Sequence, residues 1–125
     1  MHAFRSLALA GTAFAVAAVF AGPSVPVARA ADEVKIAVVG PMTGSLATIG
    51  EQQKRGAEAA AAVINAAGGI KGKKVRIVVE DDQCDPKQAV TVANRIVGNQ
   101  IGFVAGHACS GASIAASDVY NENGI

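Results

Sequence analysis

The chain has 125 residues, of which 51% are hydrophobic, 4% aromatic and 17% charged, and its formal net charge is +1. A near-neutral chain without a polybasic patch excludes binding driven by nucleic-acid phosphates or an anionic membrane surface, and one Tyr with no Trp serves base stacking poorly. No nucleic-acid partner is expected.

In chain order, the first feature is an export signal. Arg5 supplies a positive start and Leu7 to Gly22 an apolar run. After Pro23 and Pro26, Ala28-Arg29-Ala30 has the small-x-small pattern cut by signal peptidase. The apolar run is short for a membrane span of about 20 residues. Residues 1–30 are read as a signal peptide cleaved between Ala30 and Ala31, with no following cysteine to carry a lipid. Removing Arg5 and Arg29 from the eleven basic residues leaves nine against ten acidic ones, a net charge of minus one for residues 31–125. Export also changes how the two cysteines read, because an even pair in an oxidising compartment usually closes into a disulfide.

The remaining chain alternates strand and helix. Val34 to Val39 is apolar except for Lys35, as expected of a strand covered on both faces. From about Glu51 to Ala67, a helix is predicted with Ala57, Ala60, Ala61 and Ile64 on its buried side and Gly68-Gly69 as its stop. Val75 to Glu80 reads as a second strand. Asp85-Pro86-Lys87-Gln88 then supplies an N-cap, a proline at the first helical position and a Gln three residues after the cap. Ala89, Val92, Ala93, Ile96 and Val97 form the buried face of that second helix, and Gly98-Asn99 end it. A third strand is predicted at about Ile101 to Ala105, and a third helix, capped by Ser110 or Ser113, runs to Asn123-Gly124.

This order predicts an α/β fold with a parallel, doubly wound, Rossmann-like sheet. Three strands leave a hydrophobic edge that a finished domain would cover, so residues 31–125 are read as part of a longer protein.

The chemistry gathers in two strand-to-helix turns, Asp81-Asp82-Gln83-Cys84-Asp85-Pro86 and Gly106-His107-Ala108-Cys109-Ser110-Gly111. In open α/β sheets ligands sit outside the carboxyl ends of strands, where helix N-termini offer unpaired N–H groups to an anion. Ser110 is placed at such a terminus, and the two turns each hold a cysteine that could staple them together. Other chemistries fit less well. A metal site using the cysteines with Asp82, Asp85 and His107 would have one histidine and no Cys-x-x-Cys spacing. Gly106 to Gly111 has P-loop spacing, but Ala112 stands where the lysine is required. Gly111-Ala112-Ser113-Ile114-Ala115 is only a loosened nucleophile elbow, without a downstream acid and histidine. Glu80-Asp81-Asp82 reads as solvated carboxylates at a strand end, and His107 as a packing or hydrogen-bonding residue beside the site. No metal and no cofactor are expected.

Five segments carry a resemblance to a known family: Val34 to Gly44, Asn65 to Gly72, Asp81 to Val90, Gly106 to Ser110 and Ala116 to Tyr120. Together they resemble the periplasmic leucine/isoleucine/valine-binding proteins of bacterial ATP-binding-cassette transporters. The resemblance implies a partial N-terminal lobe of a two-lobed type I periplasmic binding protein, spanning residues 31–125. It implies a disulfide between Cys84 and Cys109, with Ser110 on the ligand's α-carboxylate. Cys109 and Ile49 join Ser110 in the implied ligand-binding set. Ile49 stands in the loop after the first strand, where family members usually place an aromatic residue, so the preferred side chain is open.

The implied activity is capture of a branched-chain or related aliphatic amino acid and its delivery to an inner-membrane permease. The complete protein is expected to be periplasmic, monomeric and not an enzyme. Two other readings are an amide- or amino-acid-sensing receptor of the same fold and an exported serine hydrolase using Ser113.

Overall fold

The computed structural model describes residues 33–125. The signal-peptide reading of residues 1–30 and its cut after Ala30 lie outside the described residues. Six elements alternate as expected: β1 (Val34–Gly40), α1 (Ala47–Ala66), β2 (Val75–Asp81), α2 (Pro86–Gly98), β3 (Val104–Ala105) and α3 (Ser110–Glu122). The strands are parallel in the order β2-β1-β3. Val34 to Gly40 pair in register with Val75 to Asp81, while Ala37 and Val38 meet Val104 and Ala105 on the other side.

Central placement requires β1 to be apolar on both faces, and it is. Ala37 and Val39 pack with Val92, Ile96 and Ile101 in one buried cluster. Val38, pointing the opposite way by strand alternation, is also fully buried. The next residue with that orientation, Gly40, shows what covers this second face, because a Cβ there would lie 2.3 Å from Gln53 Oε1 of α1. Thus α1 covers one side of the sheet and α2 the other. Helix α3 packs on α2 through Ala89, Ala93, Ala112 and Ala116, small residues that let the two backbones approach closely.

Three boundaries differ from the sequence expectations. Helix α1 begins one turn early, at Ala47 rather than Glu51, with Leu46 at its N-cap and no side-chain cap bond. Its first turn is set by tertiary packing: Gly50 is buried against the chain after β1, and a Cβ there would lie 2.2 Å from Pro41 O. Within the same helix Ala61 is buried but Ala60 is exposed. The inward side ends instead in Asn65, whose amide donates to Val75 O at 2.8 Å and accepts from Val75 N–H at 2.7 Å.

The third strand is reduced to Val104–Ala105 because Ile101 is used elsewhere. Ile101 N–H bonds to Ile96 O at 3.2 Å and Gln100 N–H to Val97 O at 2.9 Å. Those two bonds form a Schellman closure of α2, with the apolar pair Ile96 and Ile101 packed beneath it. Helices α1 and α3 close in the same way, through Gly69 N–H to Ile64 O and Ile125 N–H to Tyr120 O. The third boundary is the start of α3, where Cys109 is the N-cap and Ser110 the first helical residue; neither Ser110 nor Ser113 caps it.

A closure of this type places one residue in the left-handed region. That residue is Gly68 in α1 and Gly124 in α3, but Gln100 in α2, with φ of 56°. A Cβ is disfavoured there by about 1 to 2 kcal/mol. Gln100→Gly is therefore expected to stabilise the fold by about 0.5 to 1 kcal/mol after the entropy cost of glycine, measured as a higher midpoint of chemical denaturation.

Candidate ligand-binding site

The three loops leaving the carboxyl ends of the strands converge over β1. Strand order reverses there, since the chain runs from β1 to β2 on one side and returns to β3 on the other, which is where open α/β sheets hold ligands. Two adjacent aspartates organise these loops. Asp81 accepts from Met42 N–H at 2.9 Å, from the Thr43 hydroxyl and from Gln83 N–H at 3.0 Å, tying the chain after β1 to the end of β2. Burial pushes its carboxyl up. The Thr43 hydroxyl and the N–H groups of Gln83, Met42 and Thr43 outweigh that and hold it below the ordinary aspartate value.

Asp82 is fully buried. One oxygen accepts from Cys84 N–H at 2.9 Å and the other lies 2.6 Å from His107 Nδ1. These are not solvated strand-end carboxylates, as the sequence alone suggested. Glu80, the third acid of the run, pairs with Arg95 of α2 at 2.8 Å.

A carboxylate only accepts, so Nδ1 of His107 carries a proton, and Nε2 meets the Tyr120 hydroxyl at 3.0 Å. Burial, followed by the charges of Asp82 and Glu80, pushes the Tyr120 hydroxyl up to about 12. His107 is thus the hydrogen-bonding residue anticipated from sequence. Its partners were not legible, because Asp82 and Tyr120 lie 25 and 13 positions away.

Two residues beyond Asp82 and His107 stand Cys84 and Cys109, which are joined by a disulfide with Cα atoms 5.4 Å apart. Sheet spacing alone would separate the ends of β2 and β3 by about 10 Å, so both loops lean inward over the end of β1. Left-handed φ values at Gln83 (53°) and Cys84 (56°) turn the chain toward its partner. The bridge closes a loop of sequence separation 25, for which the chain-entropy model gives about 3.5 kcal/mol.

Ser110 follows this bridge directly. As first residue of α3 it is exposed, and its hydroxyl makes no hydrogen bond among the described residues. The first intrahelical N–H to find its carbonyl is that of Ser113, bonded to Cys109 O at 3.0 Å. Among the described residues the N–H groups of Ser110, Gly111 and Ala112 therefore have no partner, the first two on exposed residues and the third on a fully buried one. Cys109 is spent in the disulfide and packs beside the α2–α3 contact, next to Ser110. Ile49 lies in the first turn of α1 rather than in a loop, and is 47% exposed.

One turn further along α1, Gln53 donates from Nε2 to Ala105 O at 3.2 Å, while its Oε1 is buried without a partner among the described residues. A separate open groove of about 420 Å³, lined by Met42, Ala47, Thr48, Glu51, Gln52 and Arg55, contains neither Ile49 nor Ser110. Among the described residues, no group of three or more His, Cys, Asp or Glu side chains is placed to hold a metal ion.

Ser113 donates to the carbonyls of His107 (3.2 Å) and Cys109 (3.3 Å). The Asp82–His107 pair has the first two members of a hydrolytic triad, but the far ring nitrogen faces Tyr120 rather than a serine.

A parallel α/β sheet with helices on both sides and a helix start with unpaired N–H groups among the described residues is an arrangement of the kind in which open α/β sheets hold anionic ligands. The family described as periplasmic binding protein matches residues 33–125, and the chain belongs to that family. It is 55% identical over 95 residues to the Leu/Ile/Val-binding protein of Escherichia coli K12, an alignment covering 76% of this chain and 26% of that relative.

Two solved structures are similar in fold. One is the branched-chain amino acid transporter substrate binding protein of Streptococcus pneumoniae in complex with isoleucine, with TM-score 0.70, 35% identity, and coverage of 74% of this chain and 27% of that one. The other is a type 1 periplasmic binding protein from Bordetella pertussis, with TM-score 0.69, 37% identity, and coverage of 74% and 25%. The chain thus spans about a quarter of the length of the relatives it matches.

Because the Tyr120 pKa is raised from 10.0 to about 12, its contribution to stability is complete below pH 10 and is lost as pH rises toward 12. Tyr120→Phe should abolish that part of the alkaline destabilisation, visible as a smaller fall in unfolding midpoint between pH 9.5 and about 12 than the parent protein shows.

Proposed function

We propose that residues 31–125 form part of the N-terminal lobe of a periplasmic solute-binding protein that captures a branched-chain or related aliphatic amino acid. The complete protein delivers that ligand to an inner-membrane permease of an ABC transporter, and acts as a monomer without catalysis of its own. Residues 1–30 direct export and are removed after Ala30. The names of the relatives support the ligand class, since the Escherichia coli protein is called a Leu/Ile/Val-binding protein.

The observation that carries this reading is the unspent hydroxyl of Ser110 beside three unpaired N–H groups at the start of α3. That donor set suits a carboxylate, the group all amino acids share. Ser110 with these N–H groups holds the ligand's α-carboxylate, with Cys109 beside it, while Ile49 from α1 meets the side chain. Closure of a second lobe over the site excludes water and strengthens these charge-assisted bonds. The occupied far nitrogen of His107 and the carbonyl-bound Ser113 hydroxyl argue against hydrolysis.

Calorimetric titration of the full-length protein tests the assignment. Ser110→Ala should raise Kd about ten- to a hundred-fold for leucine, isoleucine and valine alike. The unfolding midpoint of the ligand-free protein should stay unchanged, because no cap bond is lost. Replacing Ile49 with Tyr should instead re-rank the three. Unchanged affinity in Ser110→Ala would place the carboxylate elsewhere. For export, the intact mass of the soluble product from an exporting bacterium should correspond to a chain beginning at Ala31, and retention of Leu7 to Gly22 would overturn that part.

A further inference from the structure

The ring of His107 has no freedom left. Nδ1–H donates to the buried Asp82 carboxylate, Nε2 is hydrogen-bonded to the Tyr120 hydroxyl, and the residue's own carbonyl accepts from Ser113 Oγ. The side chains of His107 and Asp82 are 1% and 0% exposed. Three segments meet through this one ring: the residue after β2 at Asp82, the loop after β3 at His107, and α3 near its far end at Tyr120. The disulfide joins the same two loops two residues further on, at Cys84 and Cys109.

These links act on different parts of α3. The disulfide fixes the point where the helix starts, and the contact with α2 holds one side of it. Tyr120 lies ten residues beyond Ser110, about 15 Å along the axis at 1.5 Å per residue. A second tether there fixes the direction of the axis, and so the direction in which the N–H groups of Ser110 to Ala112 aim. The centre of the α2–α3 contact is made by the small side chains of Ala89, Ala93, Ala112 and Ala116, with Cys109, Val119 and the Tyr120 ring packed around them, and a centre of small side chains interlocks less than one of large ones would.

We infer that Tyr120, acting through His107 and Asp82, is a positioning residue that aims the start of α3 at the ligand carboxylate. This rests on the carboxylate assignment to Ser110 made above. The hydroxyl contributes direction rather than contact. The charged groups facing the network are Asp82 itself and, at longer range, Glu80, the two that act on the Tyr120 hydroxyl.

The test is a set of leucine titrations on the full-length protein at neutral pH and at a temperature where every variant is folded. Tyr120→Phe removes one oxygen and keeps the ring. It should raise Kd about three- to ten-fold, the range set by one hydrogen bond. His107→Asn keeps a donor near the Nδ1 position but cannot reach Tyr120, and should weaken binding to a similar extent. Combining it with Tyr120→Phe should add little. In a Ser110→Ala background the effect of Tyr120→Phe should shrink, because part of what the aim serves is gone. A purely structural hydroxyl would lower the unfolding midpoint and leave Kd alone. Unchanged Kd in Tyr120→Phe, with Ser110→Ala still weakened, overturns this inference and spares the carboxylate assignment. Fully additive effects of Tyr120→Phe and Ser110→Ala likewise overturn it. Unchanged Kd in Ser110→Ala removes both.

Discussion

A carboxylate sealed from water is the constraint on which the upper end of this sheet depends. Asp82 is fully buried, and burying a carboxylate is unfavourable unless each oxygen finds a donor. The Cys84 N–H and the His107 ring supply them, and to do so both loops must bend inward over β1. The turn at Gln83 and Cys84, the meeting of the two cysteines and the placement of α3 all satisfy the same requirement. Removing one donor would leave the charge uncompensated, which is why these loops hold one arrangement while the chain after β1 is tied down separately by Asp81.

Much of the architecture was legible because its causes are local. Apolar runs marked β1 and β2, the Asp85-Pro86 start marked α2, and Gly68-Gly69 and Asn123-Gly124 marked two helix ends. The alternation of strand and helix then left few topologies to consider. What was illegible has non-local causes. Ser45 beside Leu46 has the residue type of a helix start, but Leu46 is the N-cap and no side chain caps it; the first turn of α1 is held where Gly50 packs against Pro41. Ile101 belongs by composition to a strand, but it is claimed by the closure of α2 five residues earlier.

The candidate site divides along the same line. The cysteine turns and the serine after the second one stood out by residue type, position and family resemblance. The buried network beneath them did not, since Asp82 read as a solvated acid and Tyr120 as one more residue on a helix. A further sequence signal existed: the symmetric spacing of Asp82 to Cys84 and His107 to Cys109, an acid and a base each two residues before a cysteine. In the folded protein the loops joined at Asp82 and His107 are joined again at Cys84 and Cys109.

The topology of the disulfide has a consequence for how the edge of the sheet is held. Cys84 follows β2 and Cys109 follows β3, and these strands lie on opposite sides of β1. The bond therefore crosses the end of β1, whose pairing with β3 extends over just two residues on that strand. Covalent reinforcement falls where the ladder of backbone hydrogen bonds is shortest, and the loop after the most weakly paired strand is held by a link that does not depend on that pairing.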